Sequence, residues 1–367
     1  MYENLVLSGG AIYGYTYLGA LKLLEKKGLR KHFKRFAGTS VGSAIAAFIA
    51  CGGSYKLIEE EMLKLDTEAL KDSSCFLRDF YRLIKKYGYY KGDRAMFWIT
   101  EILKKITGNG AITFHEAYEK YGTTLVIVGT SLKEKRAHYF SYINHPDMEI
   151  RQAIRISISI PLVYKAVKWN NDVWVDGGIV DNFPICYFDS DNLRVYSCWD
   201  GNCSTNDYEI DNRLHSDDYN VDKNLHKTIG LKPYSHDDYY NNIDNVTNIR
   251  SYVDNLLDTI LQQASRTPLN KFNQERTVRI NAGKISSMNF DLSYVEKVDL
   301  ILRGEKAMED FIKNNPGRFV VGGVGDVDSD SVDEGGAGEG GVGEDGVGEG
   351  GVDDDDIEKE LEEISLD

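Results

Sequence analysis

At 367 residues with 42% hydrophobic content, the chain is long enough to bury a substantial core, which sets aside a fibrous or wholly disordered protein. Its formal net charge of −15 sits at one end: residues 318–367 hold 18 acidic and 2 basic side chains, leaving 41 basic against 40 acidic over residues 1–317. A near-neutral body without a basic stripe gives no reason to expect nucleic acid as a partner, and five cysteines without a CxxC spacing read as reduced thiols rather than a disulfide framework.

Met1-Tyr2-Glu3-Asn4 runs straight into an apolar strand with no charged leader, so no signal peptide is expected, and a cytoplasmic location, at most peripheral to membranes, follows. The longest apolar run, residues 44–50, is too short to span a bilayer. The chain then alternates. Residues 5–7 read as a buried strand, 15–27 as a helix with Leu18, Leu21 and Leu24 at helical spacing, 33–37 as a second strand and 41–51 as a second helix. Such alternation implies a parallel sheet with helices packed on it. Further helices are expected at 56–65, 77–87, 94–107, 114–121 and 149–156, and strands at 124–129 and 137–142. Strands at 164–167 and 173–175 flank an Asn170-Asn171 turn, and 193–198 reads as another strand.

Residues 201–247 are rich in Asp, Asn, Tyr and His with little apolar periodicity, which reads as a polar surface insertion, with a lid over a site as the sharper alternative. Helices are expected again at 249–264 and 294–313, with a strand at 277–281 between them. After Pro316 the glycine-rich repeats and the acidic block 353–356 cannot bury apolar surface, so a disordered tail over 317–367 is expected, available to a protein partner.

Three segments carry chemistry. Gly38-Thr39-Ser40-Val41-Gly42 places a serine where a short strand gives way to a helix, a Gly-x-Ser-x-Gly turn of the kind that holds up a nucleophile. Weak alone in a glycine-rich chain, it gains weight from its company. Upstream, Ser8-Gly9-Gly10-Ala11-Ile12-Tyr13-Gly14 is a glycine-rich loop entering the first helix. Its backbone amides suit a plain turn, a phosphate or the oxyanion of an attacked ester, although no dinucleotide fingerprint or P-loop lysine accompanies it. Downstream, Val175-Asp176-Gly177-Gly178 ends a strand in an aspartate followed by two glycines, which reads as an ordinary turn in isolation and as a site element at the end of a sheet strand.

Together these motifs, in this order, make the chain resemble the patatin-like phospholipases, with similarity from Leu5 to about Cys198 that includes Ile160-Pro161 and Asn182-Phe183-Pro184. The resemblance implies a three-layer α/β/α fold with a mostly parallel sheet over residues 1–316 and a lipid acyl hydrolase cleaving phospholipid or lysophospholipid esters at a membrane or micelle interface. It also implies a Ser-Asp dyad: Ser40 as nucleophile, Asp176 as general base, and the amides of Gly9, Gly10 and Ala11 as the oxyanion hole. Gly14, Gly38, Gly42, Gly177 and Gly178 complete the motifs. No cofactor and no metal are expected, and the activity should be calcium-independent.

The sequence departs from the family pattern at Ala11, where a third glycine is common, and at Tyr13, where a basic residue is common. These two positions are the support for an alternative reading, a catalytically silent lipid-binding or scaffold protein of the same fold. A Ser-His-Asp hydrolase would have to draw on His215, His226 or His236, all within the polar segment, and Asp181 competes with Asp176 as base but reads as a turn residue.

Overall fold

A computed structural model describes residues 1–72, 76–189, 227–235 and 271–319, with a few isolated positions between 252 and 260. The strands are β1 (Asn4–Leu7), β2 (Arg35–Thr39), β3 (Gly88–Tyr90), β4 (Thr124–Ser131), β5 (Arg136–Phe140), β6 (Leu162–Tyr164), β7 (Val167–Trp169), β8 (Asp172–Asp176), β9 (Thr228–Tyr234) and β10 (Thr277–Asn281). The helices are α1 (Gly14–Lys26), α2 (Val41–Ala50), α3 (Tyr55–Lys64), α4 (Phe76–Lys86), α5 (Asp93–Thr107), α6 (Phe114–Tyr121), α7 (Ile150–Ser157), α8 (Lys271–Glu275) and α9 (Tyr294–Asn314).

The main sheet runs β10-β9-β1-β2-β4-β8-β7, with β5 also on β4. From β10 to β4 every pairing is parallel, while β5, β7 and β8 add antiparallel pairs at the other side. The parallel strands are short apolar runs because both of their faces are covered. Leu5, Leu7, Phe36, Leu125 and Ile127 point into the larger core with α1, α2 and α9. Val6, Ala37 and Val126 alternate to the other face, against Phe183, Ile185, Tyr187 and Phe188. The result is the expected α/β fold with a mostly parallel sheet.

Local chemistry fixes the helix starts. Thr113 and Ser293 form capping boxes with Glu116 and Glu296. The buried Asp72 carboxylate accepts from the amides of Lys91, Gly92, Asp93 and Arg94 at 2.6–3.3 Å at the start of α5, satisfying donors that helix geometry leaves open.

Two expectations need correction. Residues 228–234, inside the segment read as a polar surface insertion, form an inner strand between β1 and β10, with Ile229 and Leu231 fully buried. The packed body also runs past Pro316: Phe319 lies 5.2 Å from Tyr2, ring to ring, and Arg318 donates to the Glu275 carbonyl at 2.8 Å. The strand expected at 193–198, most of the helix at 249–264, the tail beyond residue 319 and the remainder of 201–247 lie outside the described residues. Among the described residues, no helix is long and apolar enough to cross a membrane.

Candidate active site

Ser40 and Asp176 are brought together by the edge of one strand. β2 pairs with β4 up to Thr39 opposite Val128, and β8 pairs antiparallel with β4 down to Asp176 opposite Gly129. β5 pairs with β4 from Ile127 to Ser131 and so overlaps both neighbours. A strand has two edges, so β2 and β8 share the edge that β5 leaves open. They approach from opposite directions and end at adjacent positions, which puts Ser40, the residue after Thr39, before the end of the strand that finishes in Asp176.

The Ser40 turn is held in a conformation that side-chain-bearing residues seldom adopt, φ 50° and ψ −128°. Its amide donates to Ser157 Oγ at 2.9 Å, and that hydroxyl donates to the Val128 carbonyl at 2.5 Å, in the gap between the two strand ends. The Ser40 carbonyl accepts from the Ser43 amide at 2.9 Å and the Ser43 hydroxyl at 2.6 Å. Glycine at 42 is required by crowding: a Cβ there would lie 2.5 Å from the Ser8 carbonyl oxygen and 2.6 Å from that of Leu7, and one at Gly38 would strike the Gly42 backbone. Ser40 is 7% exposed.

Asp176 is buried. Its amide donates to the Ser159 carbonyl at 2.9 Å, its carbonyl accepts from Thr130 Oγ1 at 2.9 Å, and its Oδ1 accepts from the Gly178 amide at 2.7 Å. Gly177 and Gly178 form the short turn Gly177–Ile179 that makes this last contact. Oδ2 has no hydrogen-bond partner among the described residues. Burial pushes the carboxyl up to about 7, against the pull of the Gly178 amide and of the nearby Ser40 hydroxyl, both of which favour the charged form. An uncommitted carboxylate oxygen beside a serine, with a pKa near neutrality, is equipped to take a proton.

The glycine loop lies against the same turn, since a Cβ built on Gly9 would come within 3.2 Å of Ser40 Cβ. Its amides are not equivalent. The Gly9 amide donates to the Asn182 carbonyl at 3.0 Å, and Asn182 Nδ2 returns a bond to the Gly9 carbonyl at 3.2 Å. Of the three amides expected to face an oxyanion, that of Gly9 is therefore occupied, while those of Gly10 and Ala11 have no partner among the described residues. Ala11 sits at φ 46°, in the region that favours glycine. Gly14 opens α1, and Tyr13, where a basic residue was the family expectation, is a core side chain whose hydroxyl donates to the Ile285 carbonyl at 2.7 Å.

Asp181 does not compete with Asp176. Its Oδ2 accepts from the Tyr139 hydroxyl at 2.7 Å, its Oδ1 from the Phe183 amide at 3.2 Å and its carbonyl from Thr39 Oγ1 at 3.0 Å, so it ties the segment after the site to β5 and β2. His215, His226 and His236 lie outside the described residues. Ser157 and Asn182 were not singled out as site residues. For Ser157 the available signal was a serine in the otherwise isoleucine-rich run Ile154-Arg155-Ile156-Ser157-Ile158.

Comparison with protein-family models matches the patatin-like phospholipases over residues 5–189, which contains every site residue above. A mimivirus protein, R571, from Acanthamoeba polyphaga mimivirus, is 34% identical over 206 residues, covering 56% of this chain and 67% of its own length. A probable lipid hydrolase, 463L of Invertebrate iridescent virus 6, is 33% identical over 188 residues, 50% of this chain and 62% of that protein. Among known structures, VipD from Legionella pneumophila shares the fold with a TM-score of 0.52 at 15% identity, covering 85% of this chain and 67% of its own. With half the chain matched by the family model and a relative 34% identical over 67% of its own length, the chain belongs to the patatin-like phospholipase family.

Proposed function

We propose that the protein is a lipid acyl hydrolase that cleaves carboxylic ester bonds of phospholipids or lysophospholipids through Ser40 and Asp176, by way of an acyl-enzyme. The observation that carries this reading is the buried Asp176 carboxyl, with Oδ2 uncommitted, at the strand end that faces the Ser40 turn. Family membership and the lipid-hydrolase name of the iridovirus relative support the substrate class.

In this reading Ser40 Oγ attacks the ester carbonyl carbon as its proton passes to Asp176 Oδ2. The carbonyl oxygen becomes an oxyanion held by the Gly10 and Ala11 amides. Collapse breaks the ester C–O bond, and the leaving alcohol oxygen takes the proton from Asp176. Water then attacks the acyl-Ser40 carbonyl, giving its proton to Asp176, and the second collapse releases the fatty acid while the proton returns to Ser40 Oγ. No step calls for a metal ion, so calcium chelation should leave the rate unchanged.

The test is fatty-acid release from a panel of phospholipids, lysophospholipids and triacylglycerols, alongside labelling by a serine-directed fluorophosphonate. Native protein is expected to label and to release fatty acid, while Ser40→Ala does not label, and Ser40→Ala and Asp176→Asn each lose more than about 1,000-fold in rate. Native protein that neither labels nor hydrolyses would instead support the catalytically silent alternative.

A further inference from the structure

Helix α4 is turned inside out. Among its described side chains the buried ones are polar: Asp79 and Arg82 are joined by a 2.9 Å ion pair, and Arg82 also donates to the Tyr89 carbonyl in β3. Its outward face carries Tyr81, Ile84 and Phe80 at 61%, 58% and 49% exposure, with Tyr87 exposed just beyond its end. Amphipathic helices of a water-soluble surface present the opposite pattern, so this face is shaped for an apolar partner. Leu162, at 39% exposure on β6, joins it through the β3–β6 pair.

The charges of the same face share one sign. The acidic residue of α4, Asp79, is buried in its ion pair, while Arg78, Lys85 and Lys86 are exposed. Lys168, also exposed, holds its ammonium 6.0 Å from the Tyr87 ring. This is a cationic and aromatic patch on a chain whose net charge is −15. A run of bonds ties it to the site: the Lys165 amide donates to the Tyr90 carbonyl in β3, and Arg155 donates to the carbonyls of Lys91 and Lys165 and to Ser159 Oγ. The Ser159 carbonyl in turn accepts from the Asp176 amide.

We propose that α4 and Leu162 form the face by which the protein seats itself on an anionic lipid surface. Tyr81, Ile84 and Leu162 enter the acyl boundary, and Arg78, Lys85, Lys86 and Lys168 meet headgroup phosphates. The inference rests on the lipid-hydrolase reading, to which it adds the surface from which the site is loaded. A second copy docked α4 against α4 would bring like charges together. The acidic tail of this chain, which carries Ile357, Leu361, Ile364 and Leu366 among its carboxylates, is the competing occupant, and vesicle binding that arises only after removal of residues 320–367 would assign the face to the tail instead.

The experiment uses the full chain as Ser40→Ala, so that vesicles stay intact, and measures co-sedimentation with phosphatidylcholine vesicles with and without about 30 mol% phosphatidylglycerol. Tyr81→Ser with Ile84→Ser is expected to weaken partitioning at least about tenfold. Lys85→Gln with Lys86→Gln is expected to weaken it about 30-fold on the anionic vesicles and little on the neutral ones. With Ser40 intact, both double variants should turn over a water-soluble short-chain ester at the parental rate and lose activity on vesicles. Partitioning equal to the parent in both variants would overturn the proposal, as would a parent that self-associates through this face with vesicle binding unchanged by the substitutions. If the parent fails on the soluble ester while binding still depends on α4, the hydrolase reading falls and the docking face stands.

Discussion

Two neighbouring strand-to-helix turns, β1 into α1 and β2 into α2, each place a residue other than glycine at positive φ: Ala11 at 46° and Ser40 at 50°. They are held in different ways. Around Ser40 the backbone is over-determined, with Ser157 on its amide, Ser43 on its carbonyl and glycine at 38 and 42, where any Cβ would strike backbone. At Ala11 the amide has no partner among the described residues, while its carbonyl accepts from the Gly14 amide and the next amide, Ile12, donates to the Ser287 carbonyl at 3.2 Å. Strain persists where the surroundings enforce it, and at Ser40 that enforcement coincides with the proposed nucleophile. At Ala11 the same dihedral is held by backbone bonds on its carbonyl side, with no side chain on its amide.

Substitutions can break this contrast at three levels. Gly42 is where the two turns touch, because its missing side chain lets α2 lie on the Leu7 and Ser8 carbonyls. Gly42→Ala should destabilise the fold by about 3 kcal/mol or more, read from denaturant unfolding. Ser157→Ala leaves the Ser40 amide and the Val128 carbonyl without their bridge and should cost about 2 kcal/mol. Because the Ser157 hydroxyl is committed to the Ser40 amide and the Val128 carbonyl, kcat should fall roughly 10- to 100-fold with KM little changed, and Ser157→Thr, which keeps the hydroxyl, should recover part of the rate. Ala11→Gly should stabilise by at most about 1.6 kcal/mol, since relief of the left-handed backbone, about 1–2 kcal/mol, matches or exceeds the freedom glycine adds to the unfolded chain, about 0.4–1 kcal/mol. A loss of stability there would show that Ala11 is as well supported as Ser40.

Much of the site could be read in the sequence because its parts are local. A glycine-flanked serine at a strand-helix junction and an aspartate at a strand end are each visible within a few residues. What joins them is not. Ser40 meets Asp176 because β2 and β8 finish head to head on one edge of β4, a matter of register between segments more than a hundred residues apart. The occupation of the Gly9 amide, expected as an oxyanion donor, is invisible for the same reason, since its partner Asn182 lies 173 positions away. Strand β9 was hidden by its own composition: Thr228-Ile229-Gly230-Leu231 is a short apolar run set in polar sequence, and Pro233 argues against a strand between two partners. Helix α4 was legible as a helix, but periodicity does not say which face turns inward, and the buried Asp79–Arg82 pair decides it.

The pH behaviour of Asp176 ties stability to function. Because burial raises its pKa, the folded protein holds this proton more tightly than the unfolded chain does. The stability it contributes is full below the unfolded value, 3.8, and is lost as pH rises through about 7. Asp176→Asn should therefore be more stable than the native protein above pH 7 while losing activity, a comparison made by thermal unfolding at pH 5 and pH 8.

Whether a buried aspartate serves Ser40 as base without a histidine is read from the pH dependence of kcat/KM on a water-soluble ester. The rate is expected to rise with pH, to reach half its plateau near pH 7 as Asp176 loses its proton, and to disappear in Asp176→Asn at every pH. A native-like rate and profile retained by Asp176→Asn would contradict that role.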